Sequence, residues 1–121
     1  MLLIDNQEGW TMILAIPIFG REISPRFDCA REMMLFRVEG GKIIDQKTLP
    51  IIETNLLNRA RILSALKVQQ IICSGIDDFS VRMLNGMGIK VFPWVSGDAH
   101  QALKGFLAGM EPGSNPQGRS S

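Results

Sequence analysis

Residues 70–98 read QIICSGIDDFSVRMLNGMGIKVFPWVSGD, and the fold class follows from how the hydrophobic period changes along this stretch. Gln70-Ile71-Ile72-Cys73 is a short apolar run of the kind found in strands covered on both faces, and Ser74-Gly75 stops it. Asp77 or Asp78 then stands at an N-cap position ahead of Phe79, Met83, Leu84 and Met87, which recur at helical spacing until Gly88 closes the helix. Ile89 to Phe92 is another buried strand, ended by Pro93. Ser96 or Asp98 opens a further helix with Ala99, Ala102, Leu103, Phe106, Leu107 and Met110 along one stripe and Gly109 near its end. Strands alternating with helices in this way are crossover units of a parallel sheet.

Working outward, Thr54 or Asn55 can cap a helix that carries Leu56, Ala60, Leu63 and Leu66 or Lys67. Before it, Glu32 to Val38 and Lys42 to Thr48 read as strands joined across Gly40-Gly41, a dipeptide that accepts the positive φ angles of a tight hairpin. Met12 to Ile16 is a continuous apolar run and predicts the first strand. Phe19 to Ala30, with Gly20, Pro25 and few apolar residues, reads as a long functional loop. The expected fold is α/β of order βββαβαβα, with helices on both faces of a mixed five-stranded sheet of order 3-2-1-4-5. That is the arrangement of ribonuclease-H-like domains. Residues 1–11 are expected to be an extension, 12–110 the domain, and 111–121 a disordered tail without one large apolar residue.

Composition narrows the function. The 121 residues, 45% of them apolar, suffice for one core and leave no room for a second domain. Lys and Arg number 13 against 12 Asp and Glu, so the net charge of +1 does not support nucleic acid as a partner. No apolar run approaches the roughly 20 residues that span a bilayer, and the N-terminus has no signal-peptide pattern, so a membrane is not expected and the cytoplasm is. Two cysteines, Cys29 and Cys73, are too few for a disulfide framework or for a structural zinc site.

In open α/β sheets, ligands gather outside the carboxyl ends of the parallel strands. Three segments meet that condition: Phe19 to Ala30, Cys73 to Phe79, and Pro93 to Asp98. Both cysteines fall within them. Arg21, Arg26 and Arg31 crowd the first segment, and Gly75 and Gly97 would let backbone approach a ligand, so the rim is expected to favour an anion. A metal-sulfur cluster is commonly anionic and brings its own sulfide. One or two thiolates with supporting donors could hold it.

Ile23-Ser24-Pro25-Arg26-Phe27-Asp28-Cys29-Ala30, then Ile72-Cys73-Ser74-Gly75-Ile76, then residues 88–97 (GIKVFPWVSG) resemble, in order and spacing, the dinitrogenase iron-molybdenum cofactor biosynthesis family, which includes NifX-like proteins and the C-terminal part of NifB-like proteins. The resemblance covers roughly Met12 to Met110. It implies a ribonuclease-H-like fold and a non-catalytic binder or carrier of an iron-sulfur or iron-molybdenum-type cluster or its precursor. Metallocluster donor and acceptor proteins are the implied partners, with the chain a monomer or weak homodimer. Carried over residue by residue, the cluster-binding candidates are Ser24, Arg26, Asp28, Cys29, Cys73, Ser74, Gly75 and Gly97, with Cys29 and Cys73 as metal ligands. This chain departs from many members in reading Arg26-Phe27-Asp28-Cys29 after Ser-Pro, without the His often found there, and in having Ser74 within the common Cys-Gly-Gly turn.

Each candidate also has a plainer reading. Cys73 ends an apolar strand, where a cysteine behaves as a small hydrophobe, whereas Cys29 sits in a loop beside Arg26 and Arg31, whose charges favour a thiolate. Asp28 can accept local backbone hydrogen bonds, and the arginines can pair with Glu22, Asp28 and Glu32. His100 is expected to be a solvated surface residue, and Met83 and Met87 core filler. The alternative function is a metal-free regulatory or interaction module of the same fold, binding a small anion or a protein. Catalysis is not expected: the first strand, Met12 to Ile18, lacks the carboxylates of a two-metal nuclease, and the single histidine serves no nucleophile motif.

Overall fold

The computed structural model describes residues 11–53 and 55–110. Strand β1 (Thr11–Phe19) is followed by a two-residue strand β2 (Glu22–Ile23) and one turn of 3-10 helix at Phe27–Cys29. The hairpin β3 (Glu32–Glu39) and β4 (Lys42–Pro50) comes next, then α1 (Leu56–Ala65), β5 (Gln70–Ile72), α2 (Asp78–Gly86), β6 (Lys90–Phe92) and α3 (Ala99–Met110). The sheet order is β4-β3-β1-β5-β6, the expected 3-2-1-4-5 arrangement, with β2 added beside the end of β1. β3 runs antiparallel to β1 and β4, while β5 and β6 run parallel to β1. The expected loop over Phe19 to Ala30 thus contains a β-ribbon and a helical turn that its sparse apolar residues did not reveal. The expected extension and the tail over residues 111–121 lie outside the described residues, except for Thr11, which opens β1.

Local chemistry accounts for the element ends. Gly40 and Gly41 both have positive φ, 59° and 84°, as a tight β3–β4 turn requires. The Asn55 side chain accepts from Asn58 N at 3.1 Å, Asp77 from Ser80 N at 2.6 Å, and Asp98 from Gln101 N at 3.0 Å, so each helix starts on a side-chain cap. The β1 run is buried on both sides because alternate residues face different helices. Met12, Leu14, Ile16 and Ile18 pack with Met34, Phe36 and Ile72 under Ala99, Leu103 and Leu107 of α3. On the other face Ala15, Met33, Leu35, Ile71 and Cys73 pack under Ala60 and Leu63 of α1 and Leu84 of α2, with Met83 and Met87 at the margin as filler. Among the described residues no helix is long and apolar enough to cross a membrane.

Backbone bonds strap the loop after β1 across the sheet's carboxyl edge. Phe27 N donates to Gly75 O and Gly75 N to Pro25 O, both at 2.8 Å, so residues 25–27 act as one more strand beside the turn that follows β5. A Cβ at residue 75 would lie 2.7 Å from Pro25 O, closer than real Cβ contacts come. Gly75→Ala should therefore cost about 1–3 kcal/mol in urea unfolding. Gly86→Ala, where the added carbon meets nothing within 4 Å, should be neutral or stabilising.

Candidate functional site

β1 and β4 are each antiparallel to β3, so β1, β4, β5 and β6 all end at the same edge of the sheet. The Phe27–Cys29 turn lies along that edge. Phe27 is buried among the core residues that include Cys73, and this anchors the turn. Arg59 of α1 ties it from below, donating Nη1 to Phe27 O at 3.3 Å and Nη2 to Ala30 O at 2.7 Å. Arg59 is only 3% exposed, its guanidinium stands 6.0 Å from the centre of the Phe27 ring, and its Nε has no partner. Burial lowers its pKa, an effect opposed by the nearby charges of Asp28, Cys29 and Glu53.

The turn separates two cavities. One, of about 330 Å³, is lined by Asp28, Cys29, Arg31, Ile51, Ile52 and Arg59. The other, of about 260 Å³, is lined by Arg26, Asp28, Asp77, Trp94 and their neighbours, with Gly75 at its floor. Asp28 belongs to both. Its carboxylate accepts from Arg26 Nε at 3.1 Å and from Arg26 Nη2 at 2.7 Å, a two-point ion pair on the surface. That bond, with the Asp28 charge, raises the Arg26 pKa, and Cys29 and Asp77 add to the effect.

Cys29 is exposed and Cys73 is fully buried. Burial pushes the Cys73 thiol up to about 11, so at neutral pH it is protonated and packed as a hydrophobe. What Cys73 contributes to the edge is backbone: its N donates to Phe92 O at 3.0 Å and its O accepts from Val95 N at 2.9 Å. Ser24 is buried, with its Oγ donating to Arg26 O at 3.0 Å, and Ser74 O accepts from Trp94 N at 3.0 Å. Gly97 has φ of +99° and accepts from Ile23 N at 2.9 Å, in open space where an added Cβ would meet nothing.

Several sequence-based expectations change in detail. Gly75 admits a close backbone approach, but the approaching group is Pro25 of the same chain, and Gly97 is required by its φ rather than by a neighbour. Asp28 binds Arg26 and not the local backbone. The rim is not uniformly anion-favouring, because Arg26 is neutralised and Arg21 lines a separate cavity with Asp98 and His100. His100 is exposed, edge-on to Phe36 with ring centroids 5.7 Å apart.

Arg59 and Trp94 were not among the candidates. For Arg59 a signal existed: it lies three residues after Leu56 and four before Leu63, inside the apolar stripe of α1. Trp94 lies in the ligand-facing segment Pro93 to Asp98 and in the third family-like motif, but nothing in the sequence sets it apart from its neighbours there. Its φ of +65° is the notable feature, since a bulky residue is strained there.

A family model described as dinitrogenase iron-molybdenum cofactor matches residues 11–109. No curated protein matches the chain. Among solved structures, the protein PH0822 superposes with a TM-score of 0.76 at 20% identity, covering 81% of this chain and 92% of that one. MJ0327 of Methanocaldococcus jannaschii gives 0.68 at 18%, covering 83% and 91%. The apo form of the orange protein of Desulfovibrio gigas gives 0.66 at 20%, covering 84% and 91%. At these identities the structural likeness is one of fold.

Two outcomes follow from the thiols. In the native protein a thiol reagent should label Cys29 at once and Cys73 only as fast as the chain opens, which peptide mapping would show. Because the Cys73 pKa is raised from 9.0 to about 11, the unfolded chain loses this proton first. The stability tied to the protonated thiol is therefore complete below pH 9 and lost as pH climbs through 11. Relative to Cys73→Ala, the wild type should lose about 2–3 kcal/mol of unfolding free energy across that window.

Proposed function

This chain belongs to the dinitrogenase iron-molybdenum cofactor family, which is associated with biosynthesis of that cofactor, and on that premise we propose that it is a non-catalytic carrier of a preassembled iron-sulfur or iron-molybdenum-type cluster. The observation that carries this reading is the basin beside Cys29. An exposed thiol stands there with Arg31, Ile51 and Ile52, and the buried Arg59 adds positive charge to the lining.

The donor set limits what such a basin can do. Among the described residues no group of three or more His, Cys, Asp or Glu side chains is placed to hold a metal ion, so the reading is of a cargo that arrives preassembled. A cargo that arrives with its own sulfide needs only one open metal position for the Cys29 thiolate. The guanidinium charges offset the cluster's negative charge, and the isoleucines keep water from part of its surface. No bond within the cargo is made or broken by the protein. A single thiolate is also readily displaced by a competing thiolate, which suits a carrier that must release what it holds. Arg59 positions the turn and Cys73 holds the edge through its backbone, neither being a ligand in this reading.

The test is anaerobic incubation with a preassembled cluster, followed by desalting and measurement of iron, molybdenum, sulfide and visible absorption. The wild type and Cys73→Ala should retain cluster, while Cys29→Ala should lose at least about tenfold in affinity, comparable with removing one ligand or its support at a metal site. Arg31→Glu should weaken retention and reduce its sensitivity to salt. A colourless wild-type protein, or a Cys29→Ala protein that loads equally well, defeats the proposal. The first result would leave the metal-free interaction module as the function.

A further inference from the structure

The cavity on the other side of the Phe27–Cys29 turn has the opposite chemistry. Its one cation, Arg26, is bound by Asp28 and also feels the charge of Asp77. Asp78, next along α2, is exposed. Carboxylates thus outnumber the guanidinium here. Beside them Trp94 stands in solvent at 73% exposure. Among the described residues the Trp94 ring meets no other ring and no cation.

The backbone makes this exposure more costly. Trp94 has φ of +65°, a conformation that glycine adopts freely and a bulky residue only under strain. Hydrogen bonds from Trp94 N to Ser74 O and from Val95 N to Cys73 O hold it there. Among the described residues no ring or cation packs on the indole to offset this strain. An external group would, and the surrounding charge selects its sign: an aromatic face next to carboxylates attracts a cation, and a planar guanidinium can stack on indole while bonding to a carboxylate.

We propose that the Trp94 cleft is a docking site for a partner protein that inserts an arginine side chain, stacked on the indole and paired with Asp77. The site is distinct from the Cys29 basin and does not depend on the cargo reading.

Two tryptophans occur in the chain, so a Trp10→Phe background makes Trp94 the sole emitter. In that full-length protein, a short arginine-rich peptide is titrated against its citrulline isostere, a lysine peptide and free arginine, by fluorescence and by calorimetry. The arginine peptide should shift Trp94 emission saturably and bind roughly three- to tenfold tighter than the citrulline peptide. The preference should vanish in Asp77→Asn, a change that keeps an N-cap side chain on α2. Trp94→Gly should be at least as stable as the wild type in urea yet lose the peptide by calorimetry. Cys29→Ala should bind it unchanged, which separates this site from the cargo basin. Citrulline or lysine peptides binding as well as the arginine peptide, free arginine matching it, no binding at all, or a Trp94→Gly protein that is less stable would each overturn the proposal.

Discussion

The carboxyl edge depends on one contact, the pair of backbone hydrogen bonds that join Pro25 and Phe27 to Gly75. These bonds form only because residue 75 has no Cβ to hold the strands apart. With the strap in place Phe27 drops into the core, and the next two residues must turn outward over the sheet edge. That leaves Asp28 and Cys29 exposed over the edge in a helical turn. Two buried polar groups complete the frame, with Ser24 bonding back to Arg26 O and Arg59 reaching across from α1 to the carbonyls of Phe27 and Ala30. A buried guanidinium with two carbonyl partners and no ion pair is an expensive fixture. Its use here is to hold the turn where no regular secondary structure could.

Charge is divided along the same line. Asp28 faces both cavities, but Arg26 occupies its oxygens, so neither cavity receives a free carboxylate from it. On the Cys29 side Arg31 and the buried Arg59 remain, with the thiol, and the local balance is positive. On the Trp94 side Asp77 remains, and the balance is negative. A net charge of +1 over the whole chain conceals this contrast. Surface ion pairs such as Arg26–Asp28 contribute little to stability, and this one matters chiefly because it cancels two charges that would otherwise blur the distinction.

Most of the fold was legible because hydrophobic period, caps and glycines all pointed the same way. The Met12 to Ile16 run, the Gly40-Gly41 turn and the Asp77 cap each had a local cause that the structure repeats. The site was legible only in outline. Its segments could be placed, since strand ends determine them, but the partners of Arg26 and Asp28 depend on a two-residue spacing around a helical turn that has no hydrophobic signature. The roles of Gly75 and Gly97 were assigned to a ligand because a sequence does not show which backbone approaches which. Cys73 was ambiguous for a similar reason: a cysteine ending a buried strand can face the edge or the core, and strand parity puts it beside Ile71 on the helix-covered face. Arg59 interrupts an apolar stripe, which marks it as buried, but its partners, the carbonyls of Phe27 and Ala30, lie far along the chain and only the fold brings them within reach.

The sealed Cys73 bears on how a carrier of this design would work. Had both thiols reached the edge, a cluster could be gripped at two positions, and release would require both to let go. In the proposed carrier role, a single thiolate backed by nearby guanidinium charge would be displaced by a competing thiolate more readily than a two-point grip.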